Sequence, residues 1–188
     1  MATVRMIKKL TWWQAFLGLL IVAFVGLLVW VRPKAYRIPT SAMEPTLQGG
    51  DTILSGRPLK SGDKLFRGSV VIFDGPKTRI KGLGGSQIKR LIALPGDRIE
   101  VLNGELTVNG IPLPTRGGEH AKPPGNAYTP AMSTPRYPLV VPEGTAFVLG
   151  DHYSNSLDSR YYGLIPIIAI ERIAWARLFP MRHAGKIE

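Results

Sequence analysis

An uncharged apolar segment near the amino terminus constrains this chain more than any other feature. Residues 12–31 read WWQAFLGLLIVAFVGLLVWV, and as a helix they would span about 30 Å, the thickness of a bilayer's hydrocarbon core. Tryptophans lie at both ends, where aromatic rings favour the membrane interface. A buried core helix would rarely be this long without a charge. A cleaved signal peptide would have a shorter apolar stretch and small residues at its end, whereas this one ends in Trp-Val-Arg-Pro. The sequence therefore predicts a permanent membrane anchor over 12–31, preceded by a short tail over 1–11.

Basic residues flank this segment on both sides. The chain has a formal net charge of +11, and residues 1–37 contain six basic side chains and no acidic one. This placement favours anionic lipid headgroups as a partner and not nucleic acid, because no basic run with interleaved aromatic residues follows. The chain has no cysteine, which excludes disulfides, thiolate metal sites and a cysteine nucleophile. We find no histidine and carboxylate cluster with metal-ligand spacing.

The remaining sequence is typical of a mostly β domain. Short apolar runs alternate with Gly, Pro, Asn and Asp turns, and no long helical period follows residue 31. Asn103-Gly104 is a strong hairpin signal, and Asn109-Gly110 repeats it. The predicted strands are Thr52–Leu54, Ser69–Phe73, Gln87–Leu94, Arg98–Leu102, Leu106–Val108, Ala146–Leu149 and Ile173–Leu178.

Two stretches do not fit this strand pattern. Residues 111–142 contain eight prolines, which predicts a loop or an insertion at a sheet edge. Residues 77–86 read as a second, mobile, basic loop. We therefore expect a compact, barrel-like mixed β domain over 36–182, with a Pro-rich insertion at 111–142 and a tail over 183–188.

Chemically distinctive residues are concentrated in four segments. In chain order these are IPTSAMEPTL at 38–47, GDTIL at 50–54, IKRLIALPGD at 88–97 and GDHYSNSLDSRYYG at 150–163. Lys89 lies in a predicted strand among apolar neighbours. Burial there would lower its pKa and allow it to act as a base toward a serine hydroxyl, although a solvated lysine is the plainer interpretation. Leu94-Pro-Gly-Asp97 predicts a turn that ends this strand.

Together, in this order and behind an anchor, the four segments resemble the type I signal peptidases, membrane-anchored serine proteases with a Ser–Lys dyad. The resemblance implies that residue 42 is the nucleophile position, that Lys89 is the general base and that Thr40 assists the oxyanion. It also implies that Ser156 orients Lys89, that Asp158 and Arg160 form a supporting ion pair, and that Pro39, Ser41 and Met43 contact substrate.

The same resemblance implies partners and a location. Substrates would be signal peptides of exported preproteins, cleaved after small residues of the Ala-x-Ala type, and the membrane lipid and the secretion translocon would be further partners. The chain would cross the cytoplasmic membrane once, with its tail in the cytoplasm and its catalytic domain on the extracytoplasmic side. Such a dyad needs no metal, nucleotide or other cofactor.

The chain departs from the family pattern at the nucleophile, because Ala42 stands where the family has serine. We favour a serine-to-alanine change that traps substrate or prevents self-cleavage over a natural pseudo-enzyme that binds signal peptides. Ser41 should point away from Lys89, because moving one residue along an extended strand turns the side chain to the opposite face. An active Ser41 or an alignment shifted by one residue would be the remaining explanations.

The catalytic chemistry and the substrates each admit a second interpretation. His152-Tyr153 replaces the family's usual Asn-Arg and admits a Ser-His-Asp triad, although a lone histidine in such a turn is more often a surface residue. The chain could also be a relative specialised for conjugative or pilin precursors. A self-cleaving repressor uses the same dyad, but the anchor argues against it.

Overall fold

The computed structural model describes residues 12–124 and 134–187. The predicted tail at 1–11, residues 125–133 of the Pro-rich insertion and Glu188 lie outside the described residues.

Short strands are the main regular structure of the described chain beyond residue 31. The three α-helices are α1 (Trp12–Val31), α2 (Gly75–Thr78) and α3 (Ser159–Tyr162), and single 3₁₀ turns lie at Tyr153–Asn155, Ile167–Ala169 and Met181–His183. The strands are β1 (Lys34–Arg37), β2 (Thr52–Ser55), β3 (Val70–Asp74), β4 (Ser86–Ala93), β5 (Arg98–Leu102), β6 (Glu105–Val108), β7 (Ile111–Pro112), β8 (Leu139–Val140), β9 (Thr145–Leu149), β10 (Ile165–Pro166), β11 (Ile170–Phe179) and β12 (Gly185–Lys186).

These strands form two sheets. The larger has the order β1-β2-β11-β3-β4-β9-β10, with β12 also paired to β11, and the smaller has the order β7-β6-β5-β8. The prediction of a mostly β fold is confirmed, and all seven predicted strands are present with ends shifted by at most three residues. Every pairing between the described strands is antiparallel, so the mixed sheet that we expected is not found among them.

Helix α1 is long and apolar enough to cross a membrane, and none of its residues is buried against the domain. A buried core helix is therefore excluded as its explanation. The helix ends where Arg32 adopts a positive φ of 42°. One guanidinium nitrogen of Arg172 in β11 then donates to the carbonyl oxygens of Arg32 (2.9 Å) and Gly56 (2.6 Å), joining the end of α1 to the sheet.

The predicted turns have the expected backbone geometry. Asn103 and Gly104 both have positive φ between β5 and β6, and Asn109-Gly110 does the same between β6 and β7. Both asparagines therefore occupy the left-handed region that such hairpins require. Asp97 closes the turn after β4, where its backbone N–H donates to the Leu94 carbonyl oxygen (3.0 Å) and its carboxylate accepts from the Leu94 N–H (2.8 Å).

Adjacent side chains of β3 enter different parts of the core, because strand residues alternate between the two faces of a sheet. Val71 and Phe73 pack with Leu91 of β4 in one cluster, whereas Val70 and Ile72 pack in another under the 38–47 segment. A third cluster fills the space between the two sheets. Strand β4 therefore lies at the centre of the domain, and the residues that it presents are shielded from water.

The ends and connections of the domain differ from the expectation. Strand β1 already pairs with β2 at Lys34, and β12 pairs with β11, so the residues beyond 182 extend the sheet and are not a tail. Part of the predicted basic loop at 77–86 is the end of α2, and Ser86 already belongs to β4. The described part of the Pro-rich insertion supplies the short edge strands β7 and β8, as the loop-or-edge prediction indicated.

Candidate active site

Lys89 lies in the middle of β4, opposite Val71 of β3, and is only 5% exposed. Val71 is fully buried, and so is Leu91, the next residue on the same face of β4. Burial lowers the pKa of the Lys89 ammonium. The negative charges of Asp158 and Asp151 oppose this shift, while Arg160 adds to it. The site therefore favours an uncharged amine more than water does.

Gly150 brings the nucleophile position and Ser156 together beside this lysine. Strand β4 pairs Arg90 with Leu149 and Leu91 with Val148, so Gly150 follows directly after the β9 residue that pairs with the neighbour of Lys89. A Cβ atom on Gly150 would lie 2.2 Å from the Ser156 Oγ and 2.3 Å from the Ala42 carbonyl oxygen. Only glycine fits here, and its missing side chain lets the 38–47 segment pack against the 150–163 segment.

Ser156 and the ion pair behind it are close to one another. The Asp158 carboxylate accepts from Arg160 Nε (2.8 Å) and a terminal guanidinium nitrogen (2.9 Å), and both residues are buried. The same carboxylate accepts from the Gly150 N–H at 3.1 Å, which fixes the loop. The Ser156 Oγ is buried without a hydrogen-bond partner among residues 12–124 and 134–187, so the expected bond to Lys89 is not formed in this structure.

The segment that carries residue 42 is a bend followed by a turn, not an extended strand. The Glu44 N–H donates to the Ser41 carbonyl oxygen (3.0 Å), and the Leu47 N–H donates to that of Met43 (2.8 Å). Strand alternation therefore does not apply at Ser41, and the prediction drawn from it started from the wrong backbone conformation. The Ser41 Oγ instead accepts a hydrogen bond from Asn155 Nδ2 at 2.9 Å.

The remaining predicted residues of this segment are divided between surface and core. Pro39 and Thr40 are exposed, whereas Met43 is buried in the cluster beneath the segment. All three, together with Lys89, line a groove of about 190 Å³ whose other walls are Tyr36, Arg37, Ile38, Ser86, Gln87 and Ile88.

His152 contacts the backbone of the same turn through two hydrogen bonds. Its backbone N–H donates to the Ala42 carbonyl oxygen, and its Nδ1 lies near the Ser41 carbonyl oxygen, both at 3.2 Å. Because a carbonyl oxygen is an acceptor, Nδ1 carries the proton in this bond. The bond joins the ring to a backbone oxygen and not to the Ser41 hydroxyl, which Asn155 occupies. The contacts of His152 are therefore those of a positioning residue.

Sequence reasoning missed a buried ion pair next to Lys89. Arg90 donates two hydrogen bonds to Asp151, of 2.8 and 2.7 Å, and both side chains are at most 3% exposed. Arg116 of the insertion approaches the same carboxylate at 3.1 Å. The pair joins β4 to the loop that begins at Gly150. In the sequence, Arg90 directly follows Lys89 and Asp151 lies in a Gly-Asp turn. Solvent-exposed residues occur in the same patterns, so these positions did not indicate a buried ion pair.

The Pro-rich insertion supports the site loop, a role that the sequence did not indicate. The Tyr153 hydroxyl donates to the Pro114 carbonyl oxygen at 3.0 Å, and the ring is buried. The Glu119 carboxylate accepts from both the backbone N–H and the hydroxyl of Ser154. Tyr153, one of the departures from the family pattern, thus anchors the insertion.

Two open strand edges border the groove. Strand β9 pairs with β4 only from Arg90 onward, so residues 86–89 have a partner strand only on the β3 side among the described strands. Strand β1 pairs with β2 on one side and has no described partner on the other. Because unpaired strand edges bind extended peptides, the groove can accept a peptide between β1 and β4.

These features define a class: a β domain behind an apolar helix, with a buried lysine beside a groove that can hold an extended peptide. The sequence matches the family described as "Signal peptidase, peptidase S26" over residues 9–178. The chain belongs to this family.

Two relatives in sequence agree with the family assignment. The chain is 34% identical to "Probable signal peptidase I-2" of Synechocystis sp. over 88% of this chain and 71% of that protein. It is 31% identical to "Signal peptidase I U" of Bacillus subtilis over 88% of each. A crystal structure of a signal peptidase I from Enterococcus faecalis is similar at 29% identity and a TM-score of 0.43, covering 59% of this chain and 97% of the other.

Proposed function

We propose that this chain carries the complete binding site of a signal peptidase I, with alanine in the place of the nucleophilic serine. It binds the signal peptides of exported preproteins and cleaves them only when residue 42 has a hydroxyl. The observation that supports this proposal is the close approach of Ala42 and Ser156 at Gly150, next to the strand that carries the buried Lys89.

With serine at position 42, the reaction would follow the chemistry of a Ser–Lys dyad. The neutral Lys89 amine takes the hydroxyl proton as the serine oxygen attacks the peptide carbonyl. The backbone N–H of residue 42 and the Thr40 hydroxyl donate to the resulting oxyanion. Lys89 returns its proton to the leaving amine, and water then hydrolyses the acyl-enzyme. Alanine leaves the oxyanion donors and the groove in place but removes the attacking oxygen.

The groove supports a preference for small residues before the cleaved bond. An extended peptide between β1 and β4 presents every second side chain to the same wall, so two side chains are selected together. The shared space is small, about 190 Å³, and the buried Met43 and the partly buried Ile88 form part of its wall. Small side chains fit such walls, in agreement with an Ala-x-Ala pattern.

The short link to the anchor supports cleavage at the membrane surface. Helix α1 ends at Val31, and the groove wall begins at Tyr36, five residues later. At about 3.3 Å per extended residue, this wall lies within roughly 17 Å of the helix end. We place the domain on the extracytoplasmic side, where translocated precursors emerge, with the membrane lipid as an immediate neighbour and the translocon as a partner.

The test restores the missing hydroxyl. We expect full-length protein in detergent to bind a synthetic precursor peptide without cleaving it, and Ala42→Ser to cleave it after the Ala-x-Ala residues. Adding Lys89→Ala should then abolish cleavage while peptide binding persists. Mass spectrometry of the products identifies the cleaved bond.

Ser41→Ala serves as the matched control in the same background. We expect it to retain most of the restored activity, because Asn155 already occupies that hydroxyl. An unaltered chain that cleaves at a substantial rate, and stops doing so with Ser41→Ala, would show that the nucleophile position is shifted by one residue. A restored serine that stays inactive despite peptide binding would favour a binding protein without catalytic function.

A further inference from the structure

A second cleft borders the segment that carries residue 42. Its volume is about 200 Å³, and its walls are Glu44, Pro45, Arg116, Gly117, Glu119 and His152. The His152 N–H donates to the Ala42 carbonyl oxygen, so this cleft and the groove flank the same residue. A peptide whose reacting bond lies at residue 42, and whose preceding residues fill the groove, can place its next residues in this cleft.

Most charges of the cleft already have partners. The Glu119 carboxylate accepts two hydrogen bonds from Ser154, which lower its pKa. Arg116 faces the buried Asp151 carboxylate. The Nδ1 proton of His152 is directed to the Ser41 carbonyl oxygen.

Glu44 is the exception among the charged residues of this cleft. Its side chain is 39% exposed, and its carboxylate accepts no hydrogen bond within the described part of the chain. The His152 Nδ1 is its basic neighbour, at 3.9 Å. The carboxylate is therefore available to a group that enters the cleft, and it lies two residues from the nucleophile position.

We propose that Glu44 is a specificity-determining residue that selects a basic side chain in the first two residues after the cleaved bond. The inference rests on the proposed function and extends it to the leaving side of the substrate. A lysine or arginine there would place its charge against the partly exposed Glu44 carboxylate, whereas an acidic residue would meet a like charge.

The chain as it stands allows a direct test, because Ala42 permits binding without turnover. Fluorescence anisotropy with full-length protein in detergent would measure the binding affinity of three labelled peptides. The peptides differ only at the second residue after the Ala-x-Ala site, which is Lys, Gln or Glu. We expect the Lys peptide to bind about fivefold more tightly than the Glu peptide, the range of a partly exposed ion pair. The difference should shrink as salt is raised, because solvent-exposed charges are screened.

Substitutions assign this preference to one residue. Glu44→Gln should remove the difference between the peptides, and Glu44→Lys should reverse it. Glu143→Gln, a change at an exposed carboxylate outside the cleft, should leave it intact. A truncated peptide that ends at the cleaved bond should bind equally to all four proteins.

The outcomes separate the two proposals. The role of Glu44 would be overturned if the peptides bind with affinities that do not depend on the charge after the cleaved bond. It would also be overturned if such a dependence survives Glu44→Gln. Either result would leave the proposed function standing. Weaker binding of the truncated peptide to Glu44→Gln would also overturn the role of Glu44, because the effect would then not lie on the leaving side. A complete failure of every peptide to bind would overturn both.

Discussion

Gly150→Ala should damage the site far more than its size suggests. The added methyl carbon would lie 2.2 Å from the Ser156 Oγ, 2.6 Å from the Ser156 Cβ and 2.3 Å from the Ala42 carbonyl oxygen. Ordinary contacts between such atoms are about 3.5 Å, so the two segments must separate by roughly 1 Å. Overpacking of this kind costs about 1–3 kcal/mol, and one partner is a backbone atom that no rotamer change can move.

The functional effect should exceed the loss of stability. A displacement of about 1 Å at a reacting centre lowers rates by roughly 100-fold. In the Ala42→Ser background we therefore expect cleavage to fall by about two orders of magnitude, measured at a temperature where the variant is still folded. Urea denaturation followed by circular dichroism would give the free energy of unfolding for each protein.

Two other glycines provide matched controls. A Cβ atom on Gly75 would also clash with backbone, 2.6 Å from the Leu83 carbonyl oxygen, but away from the site. Gly75→Ala should therefore destabilise the fold and spare the activity of the folded protein. Gly84 has open space around it, so Gly84→Ala should be neutral or slightly stabilising. If Gly150→Ala retains full stability and activity, the packing of residue 42 against Ser156 through Gly150 is incorrect.

Three further predictions concern charged side chains. Burial lowers the pKa of Lys89 in the folded protein. Between that lowered pKa and about pH 10.5, residue 89 therefore binds more protons in the unfolded chain than in the folded one, and the folded state gains stability as the pH rises. Lys89→Met should therefore raise the melting temperature at neutral pH, by a margin that shrinks toward pH 10.5; a margin independent of pH would contradict this. Asp151→Asn leaves the buried Arg90 charge uncompensated and should cost about 3–5 kcal/mol in urea unfolding, whereas Glu100→Gln in an exposed pair should cost under about 1 kcal/mol. Arg172→Gln in the Ala42→Ser background should slow processing of a precursor in proteoliposomes severalfold but not cleavage of a short peptide in detergent; equal effects on both would show that the link to α1 does not orient the domain.

Local features of the fold were predictable because each has a local physical cause. The length of α1 follows from an uninterrupted apolar run, and the Asn103-Gly104 hairpin follows from residues that tolerate positive φ. Burial of Lys89 agrees with the apolar residues around it in β4, although these neighbours alone left a solvated lysine as the plainer interpretation. The order of the four motifs was enough to identify the family, and the sequence shows directly that residue 42 has no hydroxyl.

Tertiary structure alone decided how the parts of the site meet. The turn at residues 42–46 removed the basis of a prediction from strand alternation, because the backbone there closes on itself through hydrogen bonds. Nothing local marked Asp151 as the buried partner of Arg90, since the two are 61 residues apart and their attraction depends on a shared interior. The fit of Gly150 against Ala42 and Ser156 likewise depends on distances between segments that a sequence does not contain. Residue types and local conformation are fixed by neighbours along the chain, whereas burial, ion pairing and close contact arise only once strands from distant positions have packed together.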